Sequence, residues 1–158
     1  MSFITKYVPI PVLSFVITML LRLGVRMTIF GPMMLLTVRG RKTGKPYTNA
    51  IDVHEYNGHR YLIATHGIGS WVHNLRASGE GTLSLGWRRQ AFTAVELTSE
   101  EGGPIIKAVL GPLLASQGAR GTALRQNFSL AADASLNDFI DAARSHPVFE
   151  LTSLSKFS

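Results

Sequence analysis

Apolar and polar residues alternate along the start of the chain with the spacing of an α-helix. Between residues 12 and 27 the polar positions Ser14, Thr18, Arg22 and Arg26 recur every four residues, and nearly all other positions are Val, Leu, Phe, Ile or Met. This spacing places the polar side chains in one narrow stripe of an otherwise apolar helix. We therefore expect a helix that buries most of its circumference in the core, in a homodimer interface or on a membrane surface.

The same segment lacks the features of a membrane span and of a cleaved signal peptide. No charge lies between Lys6 and Arg22, but Pro9 and Pro11 shorten the helix, and a span needs roughly 20 apolar residues. Arg22 and Arg26 stand where a signal peptide would have its small-residue cleavage site. We therefore treat 1–30 as a retained amino-terminal helix and 31–158 as a single domain.

From Gly31-Pro32 onward, the pattern changes to short extended runs that are separated by turns. Asn57-Gly58, between two such runs, is typical of a two-residue β-hairpin. A second hairpin is expected around Gly86. The predicted strands cover 34–38, 48–56, 60–64, 82–85, 90–97 and 148–151.

Helical patterns lie between and after these strands. A short helix is predicted over 70–77 with Ser70 as its N-cap, and longer helices over 100–115, interrupted at Gly111-Pro112, and over 131–144. The stretch 116–127 is predicted as a mobile loop. Two hairpins, a late strand and short helices indicate an α+β fold, mainly antiparallel β with helices, built as a small barrel.

Composition and charge exclude some kinds of site and indicate the charge of the partner. The 158 residues suit one domain, and the absence of cysteine excludes disulfides, cysteine-ligated metal sites and a thiol nucleophile. Residues 1–90 hold eleven Lys or Arg residues against the three acids Asp52, Glu55 and Glu80. An anionic partner such as a phosphorylated cofactor, a nucleic acid or lipid headgroups would account for this excess, as would a merely solvated basic surface.

The positive charge is densest in the turn between the first two strands. From Arg39 to Lys45, the sequence RGRKTGK places four cations and the Thr43 hydroxyl within seven residues. Arginine forks, lysine charges and a hydroxyl suit phosphate oxygens, so the turn is a candidate anion site or, alternatively, an exposed basic turn. It is not a P-loop, because the glycines are four residues apart and Pro46 follows Lys45. Cations confined to one turn do not favour a nucleic-acid partner.

A second candidate is the glycine-rich start of the short helix, GIGSWVHNLR from Gly67. Such a start presents unpaired backbone N–H groups and the positive end of the helix dipole. Trp71 and Asn74 lie within one turn of each other and could face one ligand, although a core Trp on a capped helix is the plain alternative. The five histidines lack the spacing of a metal site, and no GxSxG motif indicates a serine hydrolase.

These two features in this order, LLTVRGRKTGKPYTNAI and YLIATHGIGSWVHNLRASGEGTLSLG, resemble the deazaflavin (coenzyme F420)-dependent nitroreductase family of actinobacteria. The closing HPVFEL is similar to the usual ending of that family, and the resemblance spans 33–97 and 146–151. It implies a split β-barrel, similar to FMN-binding barrels, that binds coenzyme F420, whose tail carries a phosphate and an oligoglutamate chain. The apolar amino-terminal helix resembles the membrane-associated branch of the family.

The resemblance also implies which residues bind the coenzyme. The turn would hold the phosphate, with Lys45 near the acidic tail, while the following strand, the end of the hairpin and the Trp-x-x-Asn helix would surround the ring system. The implied residues are Arg41, Lys42, Thr43, Lys45, Thr48, Asn49, Ala50, Ile51, Ala64, Thr65, Ser70, Trp71 and Asn74.

The resulting hypothesis is an F420-dependent reductase that transfers hydride to a lipophilic, electron-poor substrate: a quinone, an enone, an unsaturated lipid or a nitro compound. No catalytic side chain is identified, and Tyr56, His66 or water are the candidate proton donors. The alternatives are a non-catalytic barrel that carries a lipid or a haem-type ligand at the membrane, and a reductase that uses FMN. The expected location is the cytoplasm, with peripheral contact at the inner membrane face.

Overall fold

The structure is a computed structural model that describes residues 10–154. Six antiparallel strands close into a barrel in the order β1-β2-β3-β6-β5-β4, which confirms the predicted fold class. The strands are β1 (Met33–Arg39), β2 (Pro46–Tyr56), β3 (His59–Ile63), β4 (Glu80–Leu85), β5 (Arg88–Glu96) and β6 (Val148–Ser153).

The described residues also form five helices. They are α1 (Ile10–Arg22), α2 (Ser70–Ser78), α3 (Ser99–Ala115), α4 (Ala119–Phe128) and α5 (Leu136–Ala143).

Strand β1 shows how the barrel uses both of its faces. Leu36 and Val38 point into the barrel core, where they meet residues of the other strands and Leu75 of α2. The alternate residues Met33 and Leu35 point outward and pack with Leu21 of α1. Because both faces are buried, the strand reads as a continuous apolar run rather than an alternating one.

Helices α3, α4 and α5 cover the outside of the barrel on the β3 and β6 side. Their apolar faces form one cluster with Tyr61, Ile63 and Val148. Gly103 of α3 lets that helix approach α5 closely, because a Cβ there would lie 2.6 Å from the Cα of Ile140. This helical layer leaves the β1–β2 turn and the start of α2 open to solvent.

The predicted loop over 116–127 is wrong, because most of it is the helix α4. Of the two glycines that indicated a loop, Gly118 is the N-cap of α4 with a φ of 122°, and Gly121 allows close packing, because a Cβ there would lie 2.4 Å from the carbonyl oxygen of Ser116. Gly121, Leu124 and Phe128 form the buried face of the helix. Tertiary packing therefore outweighs local propensity here.

The predicted boundaries of three other helices also need correction. Helix α1 ends at Arg22 rather than at residue 27, because Gly24 adopts a left-handed conformation with a φ of 84°. Helix α3 continues through Pro112, since its buried face extends to Leu114 beyond that proline. Helix α5 begins at Leu136 rather than at 131, because Ser135 and Asp138 form a capping box.

Candidate functional site

The β1–β2 turn is a compact loop that projects its cations into solvent. The Gly40 amide donates to the Lys45 carbonyl oxygen over 2.7 Å, and the Gly44 amide donates to the Gly40 carbonyl oxygen over 2.9 Å. Gly44 adopts a left-handed φ of 71°, which suits glycine. With the backbone closed on itself in this way, the side chains of Arg41 and Lys42 are exposed and can contact a ligand.

Helix α2 fixes the position of this turn through one buried amide. The Asn74 Oδ1 atom accepts a hydrogen bond from the Arg41 backbone N–H over 3.2 Å and another from the Arg41 Nη1 over 2.8 Å. Asn74 is only 5% exposed, so this double contact is shielded from competing water. The structure thus joins the two sequence features that were separate candidates, the basic turn and the glycine-rich helix start.

The start of α2 differs from the prediction in one respect. Gly69, rather than Ser70, is the N-cap, and no side chain caps the helix. Ser70 is instead the first helical residue, and it is exposed. Because no side chain caps the helix, the positive end of the helix dipole lies at Ser70, beside the turn.

The cavity beside the turn, which we name the basic cavity, has a volume of about 330 Å³. In the part of the chain that the structure describes, no acidic side chain lines it, and two cations, hydroxyls and amides do. This donor set fits a phosphate and an acidic tail. The lining residues are Gly40, Arg41, Lys42, Thr43, Tyr47, Thr48, Asn49, Ser70 and Asn74.

Seven of the predicted site residues therefore line one cavity. Tyr47 lines it too, although sequence reasoning did not select it. Its ring lies against Gly40, where a Cβ would come within 2.4 Å of the ring, and its hydroxyl lies 3.3 Å from the Thr43 hydroxyl. The position of an aromatic residue directly after a glycine-rich basic turn was the available signal.

Four further predicted residues line a second cavity of about 100 Å³, which we name the small cavity. They are Ala50, Ile51, Thr65 and Trp71. The remaining lining residues are Ile29, Phe30, Met33, Asp52, Ile63 and His66. The basic cavity is lined by β2 residues up to Asn49 and the small cavity by β2 residues from Ala50, so the two cavities succeed one another along the strand.

Two predicted residues, Lys45 and Ala64, line neither cavity. Lys45 is exposed in the turn, where its backbone N–H donates to the Thr43 hydroxyl over 3.2 Å. Ala64 is buried in the barrel core, and its carbonyl oxygen lies 2.8 Å from the Nδ1 of His146.

Strand β2 also carries two buried ionisable residues that the prediction omitted, Asp52 and His54. Burial raises the pKa of Asp52 to about 6, although the backbone N–H groups of Gly31 and Phe30 and the charge of Arg120 favour its carboxylate. Burial lowers the pKa of His54 to about 4. Both residues alternate with the core residues of β2, a pattern that a strand with one solvent-facing side also shows.

A third cavity of about 770 Å³, which we name the apolar cavity, lies farther along β2. It shares Phe30 and Met33 with the small cavity. Its remaining lining is mostly apolar with three arginines and two other ionisable residues: Arg26, Met27, Thr28, Gly31, Pro32, Met34, Val53, His54, Glu55, Arg60, Leu85, Arg88 and Val109.

The two side chains considered as proton donors are placed differently. His66 lines the small cavity, with its Nδ1 3.3 Å from the Nδ2 of Asn127. Tyr56 ends β2 at the hairpin and lines none of the three cavities. Among residues 10–154, no group of three His, Asp or Glu side chains is placed to hold a metal ion.

Solved structures similar to this one include F420-dependent reductases. The F420-H2-dependent reductase FDR-A is 19% identical, with 76% of this chain and 93% of that chain covered and a TM-score of 0.44. A structure described as an F420 reductase is 14% identical, with 89% and 94% covered and a TM-score of 0.44. Atu2129 from Agrobacterium tumefaciens, a protein of unknown function, is 13% identical, with 80% and 50% covered and a TM-score of 0.50. At these identities, the likeness concerns the fold alone.

The family assignment rests on the sequence. No curated protein matches the chain. The model of the F420H(2)-dependent quinone reductase family matches residues 18–111, which include the end of α1, the basic turn and the whole of α2. This match covers more than half of the chain and confirms the F420-dependent reductase family and its coenzyme, so the predicted alternatives of an FMN enzyme and a non-catalytic carrier are not favoured. The chain belongs to the F420H(2)-dependent quinone reductase family.

Proposed function

We propose that this F420-dependent oxidoreductase holds the tail of its coenzyme in the basic cavity and transfers hydride to a lipophilic, electron-poor substrate beside the small cavity. The observation that carries the proposal is the order of the cavities along β2: a cation-lined cavity first, then a small one beside Trp71, then a large apolar one. A coenzyme with an anionic tail and a planar ring, facing an apolar substrate, requires this sequence of environments.

The residues of the basic cavity would hold the phosphate and the acidic tail. Arg41 offers a planar fork that Asn74 orients, and Lys42 offers a point charge beside the Thr43 hydroxyl. Lys45 would reach the oligoglutamate chain from the exposed edge of the turn. The bound coenzyme supplies the hydride and both electrons, so these residues need only bind and orient it.

The residues at the middle of β2 would surround the ring system. Trp71 packs against Phe149 of the barrel core, with ring centroids 5.9 Å apart, and this contact holds its indole at the edge of the small cavity. Thr48, Asn49, Ala50 and Ile51 follow one another along the strand between the basic and small cavities. A planar ring lying along this strand would exclude water from the reacting atoms.

The apolar cavity would take the substrate. Its volume of about 770 Å³ falls within the range of small-molecule sites, and apolar side chains form most of its lining. Because it shares Phe30 and Met33 with the small cavity, a substrate there would place one end next to the ring system. Quinones, enones, unsaturated lipids and nitro compounds with an apolar body fit this arrangement.

The test is anaerobic oxidation of reduced coenzyme F420 by naphthoquinones that differ only in the length of an alkyl side chain. Each methylene buried in the apolar cavity contributes about 0.8 kcal/mol, so KM should fall about fourfold per added methylene until the cavity is full. The control variant Lys107→Ala removes an exposed cation of α3 outside the three cavities. It should give the same KM as the wild type for each naphthoquinone. A KM independent of chain length would contradict the proposal.

We further propose that α1 attaches the enzyme to an anionic membrane surface on the cytoplasmic side. No helix among residues 10–154 is long and apolar enough to cross a bilayer. One face of α1 packs on the barrel through Leu21, yet Ile10 and Phe15 are 76% and 66% exposed. Arg22 and Arg26 follow this apolar face and suit lipid headgroups.

Vesicle binding tests this attachment. Arg22→Glu combined with Arg26→Glu should weaken binding to anionic vesicles by at least roughly 30-fold, because each lost cation contributes about 1 kcal/mol. Lys107→Glu combined with Arg144→Glu makes the same change of charge away from α1 and should have little effect. A wild-type chain that ignores vesicles and forms a dimer through α1 would overturn the proposal in favour of a homodimer interface.

A further inference from the structure

Asp52 is an acid buried where a carboxylate is unfavourable. It is 8% exposed and lies on β2 opposite Met33 of β1. Within the described part of the chain, its Oδ1 atom has no hydrogen-bond partner. A buried polar oxygen without a partner costs free energy, so its retention calls for an explanation.

The unpartnered oxygen belongs to a residue that lines the small cavity. The same cavity is lined by Thr65 and Trp71, and by Ala50 and Ile51 from the preceding part of β2. These four residues are the ones proposed to surround the ring of the coenzyme. Asp52 therefore lies where the proposed ring site meets the proposed substrate site, next to Phe30 and Met33, which both cavities share.

We propose that Asp52 is the general acid that protonates the reduced substrate, an inference that rests on the proposed function. With a quinone as substrate, the hydride and both electrons come from the reduced coenzyme and enter the quinone. The Oδ–H bond of Asp52 breaks as a new O–H bond forms at a quinone oxygen, which yields the hydroquinone. The Asp52 carboxylate then regains a proton from water, so the side chain ends as it began.

The surroundings of Asp52 favour a protonated carboxyl group that can still release its proton. Burial raises its pKa to about 6, against the charge of Arg120 from α4, while His66 lines the same cavity and His54 lies two residues along the same strand face. A planar ring placed over the small cavity would remove further water and favour the protonated acid more strongly. A carboxyl group near neutrality is well matched to general acid work.

The first experiment compares Asp52→Asn with the wild-type chain. The amide retains the size of the side chain and an acceptor for the backbone of Phe30 and Gly31, but has no titrating proton. Quinone reduction at saturating coenzyme should fall roughly 100-fold and lose the decrease with rising pH that the wild type shows above about pH 6. Coenzyme affinity, measured by tryptophan fluorescence, should stay within about threefold. Glu150→Gln, the same change on β6 outside the three cavities, should leave rate and pH profile as in the wild type.

A second measurement does not depend on turnover. The infrared C=O band of a protonated carboxylic acid, followed from pH 4 to 8 without coenzyme, should titrate with a midpoint near 6 in the wild type and in Glu150→Gln. The component of that band with a midpoint near 6 should be missing in Asp52→Asn. If the wild type shows no such acid, or if Asp52→Asn retains the full rate and pH profile, Asp52 is not the acid. Failure of the wild type to bind coenzyme F420 would instead overturn the proposed function, so the two failures are distinguishable.

Discussion

The basic cavity and the small cavity are adjacent along β2, yet they hold their ionisable groups in opposite ways. Arg41 and Lys42 are exposed, whereas Asp52 is buried with one oxygen that has no partner within the described residues. Solvated cations can bind an anionic tail at little cost to folding. A carboxyl group that exchanges a proton near neutral pH must instead be desolvated, and the burial of Asp52 destabilises the folded state.

The buried pair on β2 makes the fold sensitive to pH in two opposing directions. The pKa of Asp52 is raised from 3.8 to about 6, so the contribution of Asp52 to the free energy of unfolding is greatest below pH 4 and is lost as pH rises to 6. The pKa of His54 is lowered from 6.5 to about 4, so the contribution of His54 to the free energy of unfolding is present above pH 6.5 and is lost as pH falls to 4. In the wild type, the two dependences offset each other.

The largest predicted effect separates these dependences. Relative to the wild type, the free energy of unfolding of Asp52→Asn should rise by about 3 kcal/mol from pH 4 to pH 6.5, since His54 then acts alone. His54→Gln should show the opposite slope with a similar size. Urea unfolding at several pH values measures both. If both variants follow the wild-type pH dependence, the two side chains are not buried as the structure shows.

The second prediction concerns the exposed cations of the basic cavity. Lys42→Ala should weaken coenzyme F420 binding by roughly 10- to 100-fold, because it removes a charge-assisted contact that contributes about 1.5 to 3 kcal/mol. The free energy of unfolding should hardly change, since the side chain is exposed. Isothermal titration at low salt measures the affinity, with Lys107→Ala as the matched control. An unchanged affinity would remove the turn from the site.

The third and smallest predicted effect tests the link between α2 and the turn. Asn74→Ala should weaken coenzyme binding by about fivefold, because loss of the amide acceptor frees the Arg41 guanidinium and costs about 1 kcal/mol. In an Arg41→Ala background the same change should have little further effect. Equal losses in both backgrounds would mean that Asn74 acts independently of Arg41.

Much of the site could be predicted because its residues are local in sequence. The basic turn and the glycine-rich helix start are short motifs, and eleven of the thirteen residues implied by the family resemblance line the two adjacent cavities. The bond from Asn74 to Arg41 spans 33 residues and required the fold. Asp52 and His54 could not be identified as buried, because their alternation with Ile51 and Val53 is also the pattern of a solvent-facing strand.

The fold shows the same division. The strands and the Asn57-Gly58 hairpin follow from local turn chemistry and alternation, and the structure confirms the antiparallel arrangement. Helix α4 did not follow, because Gly118 and Gly121 favour a loop locally and only contact with Ser116 shows why a glycine is needed at 121. Features that depend on packing between separate segments of the chain could not be predicted from the local sequence pattern.

The most direct test of the central claim is a titration of the wild-type chain with coenzyme F420, followed by tryptophan emission. Trp71 borders the small cavity, whereas Trp87 is 80% exposed in a hairpin turn with the Arg88 guanidinium 5.7 Å from its ring. We predict saturable quenching that weakens with added salt, disappears in Trp71→Phe and persists in Trp87→Phe. Absence of saturable binding, or quenching lost only in Trp87→Phe, would contradict the placement of the coenzyme along β2.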